Sequence, residues 1–597
     1  FKETGAEGAK LEQAVLDEAR RYGIRLVGPN CLGLMSPTAG LNATFATAMP
    51  EAGRVAFLSQ SGALCTAILD WSFSQRVGFS AFVSVGSMLD VGWGDLIHYF
   101  GQDPETESIV IYMESVGDAA GFMQAARQVS QRKPIVVIKV GRTAEAARAA
   151  ASHTGAMTGS DNVLDAAFER AGVLRVDTIE ELFDMAEVLA KQTLPKGPNL
   201  AIVTNAGGPG ALATDALGRE GARLAQLGAA TLHELDAALP SHWSHGNPVD
   251  VLGDADAVRY EKAFQVVLGD PGVDGLLAIL TPQAMTAPED VAQSLITAME
   301  NTAKPVLASW MGGGAVAAAR ERLNAAGIAT YDYPDEAARA FQLMWQRQDR
   351  LRRLEESNRL ACCSRHSMIG AQEIIRQLKN QGRLLLSEAE AKSVLKAAGI
   401  PVVETLVARD ESEAAAHAEN LGFPVVLKLL SPTITHKTDV GGVHLNLQNR
   451  DEVVEAFRHI QSAVGAADFA GVTVQPMVTL RGSTELILGC SQDAQFGPVL
   501  LFGAGGIWVE VMQDRVLLLP PLSPELALER IQQTRIWRAL QGIRGQLPAD
   551  LQAIADVMVK LGDLALAAPE IAEIDINPLL ASNRGVLALD ARMLLRQ

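Results

Sequence analysis

The sequence predicts an α/β protein dominated by parallel sheets. Two observations carry this expectation. Short apolar runs alternate with amphipathic segments in two successive sets. The first set is Val55–Leu58, Ser80–Val85, Ile109–Met113 and Ile135–Lys139; the second is Leu200–Thr204, Gly275–Leu280, Pro305–Ser309 and Ile328–Tyr331. Such alternation gives parallel strands covered by helices on both faces. In addition, glycine-rich turns follow two of the strands, and in open α/β sheets the working loops lie at the carboxyl ends of strands.

Composition narrows the class. The chain has 597 residues, enough for roughly four domains. Hydrophobic residues make up 48% and charged residues 20%, an ordinary globular balance. A net charge of −18 argues against nucleic acid or an anionic membrane as partner. No apolar run is long enough for a membrane-spanning helix. Five cysteines, odd in number and without Cys-x-x-Cys spacing, point to reduced thiols in a cytoplasm.

Taken in order, residues 1–48 offer a helix over Leu11–Tyr22, a strand over Ile24–Val27 and a loop, Gly28-Pro29-Asn30-Cys31-Leu32-Gly33. This is one β-α-β remnant. The chain opens on Phe1 without a signal-peptide pattern, so the expectation is a fragment that starts inside a domain. Residues 49–192 and 197–345 are the two parallel-sheet domains. Residues 346–383, rich in Arg and Glu, read as a polar helical linker. Residues 384–597 differ in kind: Ser387-Glu388-Ala389-Glu390 opens a helix with a capping box, and Pro424–Lys428 follows as a strand.

Several stretches carry chemistry. His153 sits in a loop of small residues, Ala151 to Ser160, where an accessible imidazole can carry a group covalently; the plain alternative is a His that caps a turn. Ser59, Ser61 and Gly62 lie between a strand and a helix. Gly207, Gly208 and Gly210 repeat the design, and both turns end in Gly-Ala-Leu. A helix opening after such a turn offers free N–H groups to an anion. Glu114, at the end of Ile109–Met113, is placed to orient an imidazole, or is a surface carboxylate. Lys428 ends an apolar strand and needs a partner, either a phosphate or an acidic neighbour. The His242-x-x-His245 pair has no further ligands beside it and is not read as a metal site. Alternation places Asp575 and Asn577 on one side of a strand, with Asp590 on the next.

The motifs Ser59-Gln60-Ser61-Gly62, Ser152-His153-Thr154-Gly155-Ala156 and Glu573-Ile574-Asp575-Ile576-Asn577-Pro578 occur in this order along the chain. With them the sequence resembles the NDP-forming acyl-CoA synthetases, relatives of succinyl-CoA synthetase with its two chain types fused. The resemblance implies the end of a CoA-binding Rossmann domain, two flavodoxin-like domains and a C-terminal ATP-grasp domain. It implies His153 as the phosphorylated histidine, contacted by Glu114 and with Asp575 near the phosphate. His436 would relay phosphate from ATP. Lys428, Lys437, Gly441 and Gly442 would serve the ATP phosphates, Gln475 would lie in the adenine hinge, and Glu485 would lie beside the nucleotide. Asn577 and Asp590 would hold Mg²⁺. The implied partners are ATP or ADP, coenzyme A and a small carboxylic acid or its acyl-CoA.

The same scaffold resembles the ligase-like part of bacterial protein lysine acetyltransferases, which bind acetyl-CoA. Leu518-Leu519-Pro520-Pro521-Leu522 looks closer to that group, and such a protein would carry a further acetyltransferase domain. The histidine at 153 favours the ligase. The acyl acid, ADP against GDP, and a homo-oligomeric state are left open.

Overall fold

The computed structural model describes residues 4–75, 77–143, 161–218, 221–362, 368–431, 433–434, 437–465, 468–478, 482–506, 514–543 and 545–596. The chain divides into two compact units. One comprises residues 1–161 with 167–354; the other comprises residues 355–597 with 162–166. No helix among the described residues is long and apolar enough to cross a membrane.

The first unit holds two sheets. Strands β1 (Gly33–Ser36), β2 (Leu41–Thr44), β3 (Ala52–Ser59), β4 (Phe79–Ser84), β5 (Ser108–Met113), β6 (Ile135–Lys139) and β7 (Leu174–Val176) form a sheet in the order β2-β1-β4-β3-β5-β6-β7. From β4 to β7 the pairing is parallel. β5 and β6 are buried along nearly their whole length, as central parallel strands covered on both faces must be. Phe57 packs against Phe79, Phe82 and Phe183 with ring centroids 4.9 to 6.2 Å apart. Truncating such a buried ring costs about 3–5 kcal/mol.

The predicted strand at Ile24–Val27 is not one. The Leu26 N–H is taken by the Asp90 carboxylate at 2.9 Å, which interrupts any ladder. Instead β1 and β2 make an antiparallel hairpin on the edge of the first sheet, with β1 paired to β4. Residues 33–44 therefore share the sheet of the segment that follows them.

β8 (Asn199–Thr204), β9 (Arg223–Leu224), β10 (Val249–Asp250), β11 (Gly275–Leu280), β12 (Val306–Trp310) and β13 (Thr330–Tyr331) form the second sheet, parallel throughout, in the order β10-β8-β11-β12-β13 with β9 on β8. Asn247 ties this sheet together: its Oδ1 accepts the Ile202 N–H, and its Nδ2 donates to the carbonyls of Leu200 and Ala225. The helix Pro334–Cys362 runs straight into the stretch expected to be a linker. Arg347 on it is buried and donates to the Ser130 carbonyl at 2.9 Å. Arg350 likewise donates to the Val173 carbonyl, while Arg352 is more than half exposed.

The second unit holds two antiparallel sheets. β14 (Leu385–Leu386), β19 (Thr484–Asp493), β20 (Gly497–Ala504), β21 (Arg515–Leu518), β22 (Ile571–Ser582), β23 (Gly585–Ala588) and β24 (Ala591–Leu595) order as β14-β24-β22-β19-β20-β21, with β23 on β22. β15 (Leu406–Ala408), β16 (Val425–Leu429), β17 (Val443–Leu447) and β18 (Val472–Pro476) order as β15-β18-β16-β17. The helix Glu388–Ala397 starts on the predicted capping box. Ser387 Oγ accepts the Glu390 N–H, and the Glu390 carboxylate accepts the Ser387 N–H.

Candidate functional site

Two groups of residues come together, one in each unit. In the first unit, β3 ends at Ser59 and the helix Gly62–Gln75 begins three residues later. Ser59 Oγ accepts the Ser61 N–H at 3.1 Å and so folds the turn back on itself. The Gln60 side chain braces it against the end of β5. Its Oε1 accepts the backbone N–H groups of Glu114 at 2.6 Å and Ser115 at 2.8 Å, and its Nε2 donates to Ser115 Oγ at 2.9 Å.

The second turn is built the same way. Thr204 Oγ1 accepts the Ala206 N–H at 3.1 Å. Asn205 Oδ1 accepts the Thr281 N–H and its Nδ2 donates to the Thr281 carbonyl, both at 2.9 Å. The helix Gly207–Leu217 follows without a side-chain cap on its first turn. Gly208 has open space where a Cβ would stand, and a Cβ at Gly210 would press on Thr204 and Pro248. One difference separates the two turns. Glu114 follows β5, and Thr281 follows β11, so at the strand end that the turn amide braces the first turn has a carboxylate and the second a hydroxyl. At the second turn the carboxylate comes from Asp250 at the end of β10, 3.4 Å from where a Cβ on Gly207 would stand.

A cavity of about 420 Å³ opens over the first turn, lined by Gln60, Ser61, Gly62, Glu114 and Ser115 together with Asn30, Leu32 and Phe45. Glu114 is buried in its wall. Lys139, at the end of β6, is buried too. Burial pushes its ammonium down, Arg175 adds to that, and Asp161 and Glu114 oppose it. Neither Gln60 nor Lys139 was singled out from sequence. The amide carries no local signal of what it will face, whereas Lys139 closes an apolar strand much as Lys428 does and offered the same one. His153 lies outside the described residues.

The second group lies in the second unit, between its two sheets. Lys428, on β16, reaches Glu388 Oε1 at 2.9 Å and Asp590 Oδ2 at 3.0 Å. The acidic neighbours that a strand lysine requires are therefore present, and they hold its ammonium protonated against burial. Lys437 donates to Glu388 Oε2 at 2.6 Å, and Gln475, buried on β18, donates to Glu388 Oε1 at 2.5 Å. Gly441 has φ +69°, and a Cβ at Gly442 would stand 2.9 Å from both the Leu429 side chain and the Lys437 carbonyl. That turn must lie flat on β16, which is the structural demand for glycine there. His436 lies outside the described residues.

On β22, Asp575 and Asn577 point away from the buried Ile574 and Ile576, as alternation predicts. Burial, then the Glu573 and Asp590 carboxylates, raise the Asp575 carboxyl above its ordinary range. Asn577 Oδ1 accepts the Gly506 N–H at 3.2 Å. A Cβ on Gly506 would stand 1.8 Å from the Glu485 carboxylate, so Glu485 on β19 occupies the space a side chain would take. Glu485, Gly506 and Asn577 thus adjoin one another, while Asp590 connects to Lys428. Glu388, the hub of the lysines, was read from sequence only as a first-turn acid.

The donor set fits the groups expected here. A carboxamide oxygen and a carboxylate are hard ligands suited to Mg²⁺, which usually takes one or two protein ligands and fills its remaining positions with water and phosphate oxygens. Lysine ammoniums gathered beside them suit a polyphosphate. Among the described residues, no group of three or more His, Cys, Asp or Glu could hold a metal by itself. His245 instead pairs with Asp236 at 2.8 Å and with the Ser241 carbonyl.

Three family models match the chain: a succinyl-CoA ligase like flavodoxin domain over residues 52–189, a ligase-CoA domain over 200–351, and an ATP-grasp domain over 377–595. The chain is similar to acetate–CoA ligase [ADP-forming] I of Archaeoglobus fulgidus, 40% identical over all of this chain and 85% of the relative. It is similar to 4-hydroxybutyrate–CoA ligase [ADP-forming] of Nitrosopumilus maritimus, 37% identical over 98% of this chain and 84% of the relative. Among solved structures it resembles an acetyl-coenzyme A synthetase of Ca. Korarchaeum cryptofilum in complex with phosphate and ADP. That match has a TM-score of 0.56 and 36% identity, and covers 60% of this chain and 77% of the other.

Proposed function

The chain belongs to the ADP-forming acetyl-CoA synthetase family, and from that premise we propose that it joins a small carboxylic acid to coenzyme A at the expense of ATP, giving acyl-CoA, ADP and phosphate. The relatives matched over the whole chain are named as ligases, which favours this reading over the acetyltransferase-associated one. The observation that carries it is the Gln60-braced turn with the buried Glu114 in the wall of its cavity. A histidine that gains and loses phosphate needs N–H donors for the phosphoryl oxygens and a carboxylate for its other ring nitrogen. Both are at hand there.

On this reading the steps are these. His153 takes the γ-phosphoryl group, directly or by way of His436: a nitrogen–phosphorus bond forms as the bond to the donor breaks, the ADP oxygen in the first case and the His436 nitrogen in the second. The first-turn N–H groups of the helix Gly62–Gln75 steady the charge on the phosphoryl oxygens, and Glu114 orients the imidazole. A carboxylate oxygen of the acid then attacks phosphorus and frees the histidine, giving an acyl phosphate. The CoA thiolate attacks the acyl carbon, and inorganic phosphate leaves. In the second unit, Lys428 and Lys437 serve the nucleotide phosphates. Asn577 and Asp590 would hold Mg²⁺, which supplies charge neutralisation when bound. The unbridged thiols of Cys31, Cys65 and Cys490 fit a reducing, cytoplasmic setting.

The test is direct. Mg²⁺ and γ-labelled ATP should leave an acid-labile, base-stable label on His153, and His153→Ala should abolish it. A label that survives the substitution, or none in the intact protein, sinks the proposal.

A further inference from the structure

Resting on the ligase reading, we propose that Glu388 is a positioning residue of the nucleotide half-reaction: its carboxylate is an internal anion that holds Lys428 and Lys437 together for the phosphates of a nucleoside triphosphate. Four donors from four elements converge on it. Lys392, one turn along its own helix, donates to Oε1 at 2.8 Å; Lys428 from β16 and Gln475 from β18 donate to the same oxygen at 2.9 and 2.5 Å. Lys437, from the short turn Lys437–Val440, takes Oε2 at 2.6 Å.

A buried carboxylate needs one cation and a hydrogen bond or two. Lys392 alone meets that need, since its side chain is 3% exposed, it is held to Glu388, and it also donates to Thr405. The other two lysines are surplus to structure. Exposure rises stepwise outward from Glu388 at 2% to Lys428 at 12%, Lys437 at 18% and Asp590 at 39%. An anion from solvent can therefore reach Lys428 and Lys437, while Lys392 is closed off.

Charge counting points the same way. Three ammoniums face two carboxylates, Glu388 and Asp590, leaving the cluster one positive charge in excess. Like charges this close would drive the lysine tips apart without an anion among them. Glu388 permits the gathering, and the excess positive charge draws a polyphosphate. The electrostatics agree. Against burial, which alone would raise it, Lys428, Lys392 and Lys437 hold the Glu388 carboxyl far below its usual range. Burial, opposed by Glu388, brings Lys392 down to about 8.

The experiment uses the full chain and two variants, Glu388→Gln and Glu388→Gln/Lys392→Met. The double variant removes both members of the buried pair and should recover thermal stability lost in the single one, because replacing such a pair by uncharged groups is often neutral. In both variants MgATP binding, measured by equilibrium titration, should weaken by about tenfold or more, the scale of a lost charged contact. KM for ATP should rise likewise, while KM for CoA and labelling of His153 from acyl-CoA and labelled phosphate stay as in wild type. Wild-type MgATP affinity in either folded variant overturns the proposal, as does recovery of affinity along with stability in the double variant. The titration reads the proposal without turnover. A wild-type protein that binds MgATP yet is never labelled on His153 counts against the ligase reading alone.

Discussion

Asn577 and Asp590 stand opposite one another where β22 meets the corner between β23 and β24. The register Leu579↔Ala588 lies on one side of them and Ile576↔Ala591 on the other, and the Leu589 N–H donates to the Pro578 carbonyl at 3.0 Å. Antiparallel pairing thus brings together two oxygen-bearing side chains that are thirteen positions apart in sequence. Asp575 lies two residues from Asn577 on the same side of the strand, and its raised carboxyl already registers the charge of Asp590.

From this we expect Asp590→Ala to weaken nucleotide binding in the presence of Mg²⁺ by about tenfold or more, through loss of a hard donor and of one anchor of Lys428. The fold should survive, because Asp590 is 39% exposed and serves the site rather than the core. Titration of nucleotide with and without Mg²⁺ checks this. An unchanged response to Mg²⁺ refutes the metal assignment.

The Asp575–Asn577 pair was legible in sequence because a strand repeats every two residues, and the pattern Ile-Asp-Ile-Asn-Pro shows its wet side directly. The long apolar runs that became β5, β6, β8 and β11 were legible for a similar reason. β9 and β10 are two residues each and leave no pattern. Glu388 was legible only as a helix-opening acid. Its meaning depends on lysines 4, 40 and 49 residues away, and such convergence is a property of the fold. The amides of Gln60 and Asn205 are alike in this: each braces a turn against a strand end 54 and 76 residues on. Ile24–Val27 misled because its apolar alternation is real, yet the Asp90 carboxylate takes the Leu26 N–H.

Away from either site, Asp184 should make stability depend on pH. Burial, then Glu180, Glu187 and Glu336, push its carboxyl from 3.8 up to about 7. Between those values the folded protein keeps a proton that the unfolded chain has lost. Stability therefore falls as pH rises from about 4 to about 7, and the full penalty is present above 7. Asp184→Asn should raise the thermal midpoint at pH 8, by a few degrees for a gain on the order of 2–4 kcal/mol. The gain should shrink as the pH is lowered and vanish below about pH 4. An equal gain at every pH would assign the effect to packing instead.

His436 provides the last test, and it turns on separating transfer from binding. It immediately precedes Lys437, whose ammonium is seated on Glu388. A relay histidine must bring its nitrogen within about 3–3.5 Å of the phosphorus it attacks. If it is a relay, His436→Ala should bind ATP about as well as wild type but should not pass label from ATP to His153. Acyl-CoA with labelled phosphate should still label His153 in a full-length version of this variant, because that half-reaction does not involve the nucleotide. Should ATP label His153 efficiently in His436→Ala, the relay is excluded and His436 is left with contact to the nucleotide as its role.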